Sequence, residues 1–276
     1  MNICNEFNMK TVNFNCNNKD FENFKNYVYK ENFRDFWDKN GFIHVSNVLT
    51  MDEVKIYSDI YDQFLSGEID ASNHRHDLGN INDLSKNKME NICQIMWPTL
   101  YVENLDKGPI HARTEFLAKY LFGDDMIEDF NFLICKEPFK DIPTFWHSDE
   151  SYWLDLPDKR AVSFWVALDR TYVENGCMWF VPGSNKEPLR PHRKYHPDKH
   201  IRTCDADESE GTPVPLQPGE MTGHSGRTLH YSRGNSTADR RRGFVVNYRP
   251  KAMVELERQK EFDHGKSGLS NILLKH

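Results

Sequence analysis

The 276-residue chain has no run of the roughly 18 apolar residues that a membrane span requires. Its amino terminus is polar and Asn-rich, without the apolar stretch of a secretory signal. Cysteine is sparse and unpatterned: the residues at 4, 16, 93, 135, 177 and 204 form no CxxC pair. In a chain of this length that spacing excludes a disulfide framework and a zinc ribbon, and it suits reduced thiols in the cytoplasm. Basic charge is also in short supply, since 35 Lys and Arg face 42 Asp and Glu and the only dense basic run is Arg240-Arg241-Arg242. A nucleic-acid partner is therefore not expected, nor is a membrane. There is no internal repeat, and low complexity is confined to the Asn-rich start.

What is present suffices for one substantial core, because 38% of residues are hydrophobic and 13% aromatic. Residues 1–30 read as an arm that is either flexible or packed as an extra helix, 31–250 as one domain, and 251–276 as a charged tail, helical in part. Apolar spacing from Phe33 and a stop at Gly41 predict a first helix, followed by a strand at Phe42-Ile43-His44-Val45. Thr50 with Glu53 three places on predicts a capped second helix, whose stripe of Val54, Tyr57, Ile60, Tyr61, Phe64 and Leu65 should face a sheet. Residues 66–90 read as a surface loop with solvated His74 and His76. A further helix ends at Gly123. From Phe130 to Pro250 the text is short β-runs punctuated by Gly and Pro, which predicts a mainly β fold with flanking helices, a double-stranded β-helix or jelly-roll barrel that encloses a ligand between two sheets.

The chemistry centres on Phe145-Trp146-His147-Ser148-Asp149. On a strand, residues two apart share a face, so His147 and Asp149 can offer an imidazole nitrogen and a carboxylate oxygen to one ion. A third donor is needed, and His230, in a second β-run, is the best offer, with His224 as a rival. Two histidines and one carboxylate make the facial triad of non-haem Fe(II) oxygenases. His192, His196 and His200 recur every fourth residue, but Pro191 and Pro197 break a helix there, and they read as loop histidines near a pocket rim.

Several motifs stand in order: His147-Ser148-Asp149, Phe164-Trp165-Val166-Ala167-Leu168-Asp169, Glu174-Asn175-Gly176 through Pro182-Gly183-Ser184, then Leu229-His230-Tyr231-Ser232 with Asn235. With these the chain resembles the phytanoyl-CoA dioxygenase family of Fe(II)/2-oxoglutarate oxygenases from about Phe33 to Pro250. The resemblance implies a jelly-roll barrel, Fe(II) on His147, Asp149 and His230, and 2-oxoglutarate and O2 as co-substrates. It also implies that Arg241, eleven residues beyond His230, holds the distal carboxylate of 2-oxoglutarate, that Ser232 assists, and that Trp165 lines that pocket. Ser148 stands where the family commonly has Gln, and Asn185 where its PGSH motif ends in His. Alternation along a strand puts Arg241 on one face with Gly243 and Val245, leaving Arg240 and Arg242 as a solvated basic edge. Tyr152 and Trp153 are candidates for the substrate pocket. The expected reaction is hydroxylation, or a related oxidation, of a small organic molecule with release of succinate and CO2. The alternatives are an acyl-CoA hydroxylase and a non-catalytic jelly-roll binding or sensor protein.

Overall fold

The computed structural model describes residues 10–14, 18–79, 90–195 and 201–268. Helix α1 (Asn18–Glu31) buries Phe24 and Val28, so this part of the amino-terminal arm packs as a helix. Helix α2 (Phe33–Asn40) ends where Gly41 enters the left-handed region at φ 77° and returns its N–H to Trp37 O, 2.8 Å away. A side chain there would also meet Asn185 and Thr228, so glycine is required twice over. Helix α3 (Met51–Ser66) carries the anticipated capping box: Thr50 Oγ1 accepts from Glu53 N at 3.2 Å, and Thr50 N donates to Glu53 Oε2 at 2.8 Å. Its buried stripe is Val54, Tyr57, Tyr61 and Phe64. Helices α4 (Pro109–Phe122) and α5 (Lys251–Gln259) complete the set among the described residues, and none of these helices is long and apolar enough to cross a membrane.

Two sheets face each other. The larger runs β2 (Phe42–Val45), β13 (Met221–Ser225), β8 (Val162–Ala167), β15 (Arg241–Pro250), β6 (Met126–Lys136), β4 (Ile92–Met96) and β3 (Arg75–Asp77). The smaller runs β12 (Thr212–Val214), β9 (Met178–Phe180), β14 (His230–Ser232) and β7 (Thr144–His147). Short ribbons join β1 (Lys10–Thr11) to β5 (Val102–Glu103) and β10 (Arg193–Lys194) to β11 (Arg202–Thr203). Alternation along β15 decides the layering. Phe244, Val246 and Tyr248 pack outward against the helices, whereas Val245 joins Trp165, Ala167, Ile134 and Phe180 in the space between the sheets. The chain is thus a jelly-roll barrel with helices on the outer face of its large sheet. Of the stretch anticipated as a surface loop, residues 80–89 lie outside the described residues, and His74 departs from expectation. His74 is buried, its ring nitrogens bonded to the Tyr101 hydroxyl at 2.5 Å and to Lys266 O at 3.0 Å.

At the end of the barrel opposite Arg241, a β-bulge drops Asp129 out of register, with Phe130 facing Asn247 and Glu128 facing Tyr248. The bulge turns Asp129 into a buried ionic cluster that docks α5 and the residues after it. Asp129 binds Arg258 and lies 3.1 Å from His264 Nε2, while Arg249 Nη1 meets Glu257 Oε1 at 2.6 Å. The neighbouring Asp129 and Glu257 outweigh burial and raise the His264 pKa, while His264 and the two arginines hold Asp129 well below the usual carboxylate range. Stability from His264 is present below its unfolded pKa of about 6.5 and is lost as pH rises through the higher folded value; that from Asp129 is present above about 3.9 and is lost as pH falls. Thermal unfolding should therefore show its highest midpoint between these limits. His264→Gln should flatten the alkaline limb, and Asp129→Asn should lower stability by about 3–5 kcal/mol because it strands buried cations. Identical pH profiles for wild type and His264→Gln would sink this assignment.

Candidate metal centre

His147 is the last residue of β7 and His230 the first of β14, and the two are direct cross-strand partners. Their rings stand 4.1 Å apart, centroid to centroid. The strand ends at His147, and Asp149 opens a 3-10 turn, Asp149–Tyr152, instead of continuing the strand as expected. Ser148 is nonetheless extended, at φ −115° and ψ 135°, so the period of two persists and delivers Asp149 to the same face. His147 Nδ1 bonds to Phe145 O at 2.6 Å and His230 Nδ1 to Thr228 O at 2.9 Å. Each Nδ1 therefore carries the proton, which leaves a lone pair on both Nε2 atoms, 3.7 and 3.6 Å from Asp149 Oδ1.

Burial lowers the pKa of His147 and, reinforced by the neighbouring imidazoles, sets that of His230 well below its ordinary value. Burial would raise Asp149, but the imidazoles of His230, His224 and His147 outweigh it and hold the carboxyl well below the usual range. The result is two neutral imidazoles and one carboxylate with one donor atom each inside a 4.8 Å circle, a set matched to a divalent first-row cation. The other grouping of this kind among the described residues, Asp129, Glu257 and His264, already has its charge met by Arg249 and Arg258.

Two clamps that the linear sequence does not reveal hold the triad. Arg227 forks Glu150 with two bonds of 2.7 Å, and Glu150 N donates to Gly226 O at 2.8 Å, so the turn after Asp149 is fastened to the turn before His230. His224 Nε2 lies 3.2 Å from Asp149 Oδ2, which also accepts from Ser163 Oγ at 2.8 Å. His192 is spent differently. Its Nε2 accepts from Ser148 N at 3.0 Å and its Nδ1 donates to Arg190 O at 2.7 Å, tying the rim loop to the His147–Asp149 backbone. His196 and His200 lie outside the described residues.

Arg241 points inward with Gly243 and Val245, as alternation requires, and is 1% exposed. Its guanidinium sits 4.1 Å over the Trp165 ring. A Cβ on Gly243 would come within 2.1 Å of that indole, so only glycine lets the tryptophan lie there. Nε and Nη2 of Arg241 and Nε1 of Trp165 have no acceptor among the described residues, and burial pulls the arginine pKa down to about 10. Lys136, directly opposite in register, spends its amine on the carbonyls of Arg233, Ile142 and Ser232 at 2.6, 3.2 and 3.4 Å. Ser232 follows His230 by two and is likewise buried. Arg240 is exposed, as expected of a solvated edge, but Arg242 is largely buried. Arg242 forks Asp169 at 2.8 and 2.9 Å, and Arg240 reaches Glu137 and Asp62, each at 3.3 Å. Tyr152 turns its ring edge to His147, 5.7 Å away, while its hydroxyl accepts from Arg202 N at 2.8 Å; Trp153 lies under Arg249 at 5.0 Å and edge-on to Phe130.

The sequence profile of the phytanoyl-CoA dioxygenase (PhyH) family matches residues 37–243, and the chain belongs to that family. Among its relatives is a probable alpha-ketoglutarate-dependent hypophosphite dioxygenase of Stutzerimonas stutzeri, 24% identical over 230 residues that cover 80% of this chain and 78% of the relative. Among solved structures it is similar to EvdO2 from Micromonospora carbonacea var. aurantiaca complexed with 2-oxoglutarate, with a TM-score of 0.64, 26% identity, and coverage of 79% of this chain and 89% of that one. The epimerase SnoN in complex with Fe3+, alpha ketoglutarate and nogalamycin RO is similar too, with a TM-score of 0.64, 25% identity, and coverage of 80% and 84%.

Proposed function

We propose that this enzyme, an Fe(II)- and 2-oxoglutarate-dependent dioxygenase, hydroxylates an unactivated C–H bond of a small organic molecule, with Fe(II) held by His147, Asp149 and His230. The observation that carries the reading is a buried cation with no carboxylate partner among the described residues, Arg241, on the inner face of a barrel that also holds the triad. An isolated buried charge is costly, and the distal carboxylate of 2-oxoglutarate supplies what Nε and Nη2 lack. In this reading Trp165 forms one wall of that pocket and Ser232 contributes a hydroxyl to it. Fe(II), when bound with 2-oxoglutarate and O2, supplies the oxidising power: one oxygen atom enters the substrate, the other enters succinate, and CO2 leaves.

Because Asp149 is a carboxylate rather than a small residue, it occupies the position that halide takes in halogenating relatives, so oxygen insertion is the expected outcome. The neutral tautomers of His147 and His230, fixed by Phe145 O and Thr228 O, keep both Nε2 atoms available as donors. Tyr152 and Trp153 are the candidates for the substrate side, and the sequence offers no strongly basic cluster suited to a CoA pyrophosphate, which favours a free small molecule over an acyl-CoA thioester. Four buried cysteines, Cys93, Cys135, Cys177 and Cys204, are unpaired, in keeping with a reducing compartment such as the cytoplasm. The test is succinate release from 2-oxoglutarate under air. Production that requires Fe(II), and that rises when the right member of a small-molecule panel is added, is expected. Folded, Fe(II)-loaded protein that consumes no 2-oxoglutarate with any panel member would refute the proposal.

A further inference from the structure

Three inward-facing polar residues stand in one row across the large sheet: His224 on β13 pairs in register with Ser163 on β8, which pairs with Asn247 on β15. All three are buried, at 3%, 3% and 0% exposure. The row ends on one atom, Asp149 Oδ2. Asn247 Nδ2 donates to Ser163 Oγ at 2.9 Å, so the serine proton is directed onward to Oδ2, 2.8 Å away. His224 reaches the same oxygen with Nε2 at 3.2 Å, and its Nδ1 has no partner among the described residues. Beside a carboxylate this favours the Nε2–H tautomer as donor. Asp149 Oδ1 meanwhile faces His147 and His230.

We infer that His224 is a positioning residue that holds Asp149 as a one-oxygen metal ligand. The inference rests on the metal reading of His147, Asp149 and His230 given above. A carboxylate can bind a cation through one oxygen or both. Two donors on Oδ2 engage its lone pairs and leave Oδ1 for the metal, so the second oxygen does not take a position that 2-oxoglutarate or O2 needs. The hold also spans the barrel. His147 and His230 belong to the small sheet, whereas His224, Ser163 and Asn247 belong to the large one, so this row sets the carboxylate against the histidines across the sheet-to-sheet gap.

The test compares two amides of similar polarity at residue 224. The Gln amide nitrogen reaches the place of His Nε2, whereas the Asn amide nitrogen stops near Nδ1. Apoprotein of wild type, His224→Gln and His224→Asn is titrated with Mn(II) alone by calorimetry, after thermal unfolding shows that each is folded. Wild type binds one Mn(II), H224Q stays within about threefold of it, and H224N is weaker by about 10–100-fold, the usual effect of losing an outer-shell partner. Wild-type affinity in H224N would overturn the inference, and so would equal losses in both variants, which would mean that the imidazole acts on the metal itself. If H224N does not fold, His224→Leu, which fills much of the imidazole's space without a donor, takes its place, and wild-type Mn(II) affinity there overturns the inference equally. Folded wild type that takes up no Mn(II) would instead remove the metal reading, and this inference with it.

Discussion

Asp149→Ala is expected to weaken Fe(II) binding by more than about 100-fold, beyond what loss of an outer-shell partner does, and to abolish succinate production. The reason is charge as much as geometry. The triad offers a divalent cation two neutral imidazoles and a single negative charge, and Asp149 carries that charge. Removing it also strands Ser163 Oγ and His224 Nε2, which donate to Oδ2, so the apoprotein should lose about 1–3 kcal/mol of stability. Anaerobic Fe(II) titration and urea unfolding of the same preparation read the two effects separately. Near wild-type affinity in the variant would show that the carboxylate is not a ligand.

Arg241→Met should move stability and binding in opposite directions. In the protein alone the guanidinium is buried, desolvated and without a carboxylate partner among the described residues, with the face of Trp165 against it. A methionine of similar length removes that burden, so the apoprotein should gain about 1–4 kcal/mol, by analogy with buried ionic groups replaced by apolar ones. Toward 2-oxoglutarate the sign reverses. Loss of a buried charge pair of about 3 kcal/mol or more raises KM for the co-substrate by about 100-fold or more, with much less effect on Fe(II) affinity. Arg241→Lys should recover only part, because an ammonium lacks the planar fork. Thermal unfolding with and without 2-oxoglutarate and Mn(II), alongside the KM series, measures both signs. A variant that is less stable as apoprotein and unchanged in KM would make Arg241 an ordinary structural residue.

Much of this arrangement is local in sequence and so could be read there. The period of two puts His147 and Asp149 on one face and turns Arg241 inward beside Gly243 and Val245, and helix signals at Gly41 and Thr50 announce their own elements. What depends on register could not be read. The row His224–Ser163–Asn247 exists only because three strands distant in the chain align at one level, and the Glu150–Arg227 clamp joins turns 77 residues apart. His74 shows the same limit, since its burial depends on Tyr101 and on Lys266, 192 residues away. The ionic cluster needs a bulge at Asp129 and a left-handed His264 at φ 51°, neither of which leaves a mark in hydrophobic spacing. Arg242 looks like part of a solvated edge until Asp62 and Asp169 arrive from two other segments.

The central claim is that one ferrous ion, held by His147, Asp149 and His230, shares its co-substrate with Arg241. Titrating 2-oxoglutarate anaerobically into Fe(II)-loaded protein while recording the visible spectrum tests it most directly. A weak charge-transfer band that saturates at one equivalent, and is lost when His230 is replaced by Ala, is the predicted result. Folded protein that retains iron yet develops no band, or develops the same band without His230, would contradict it.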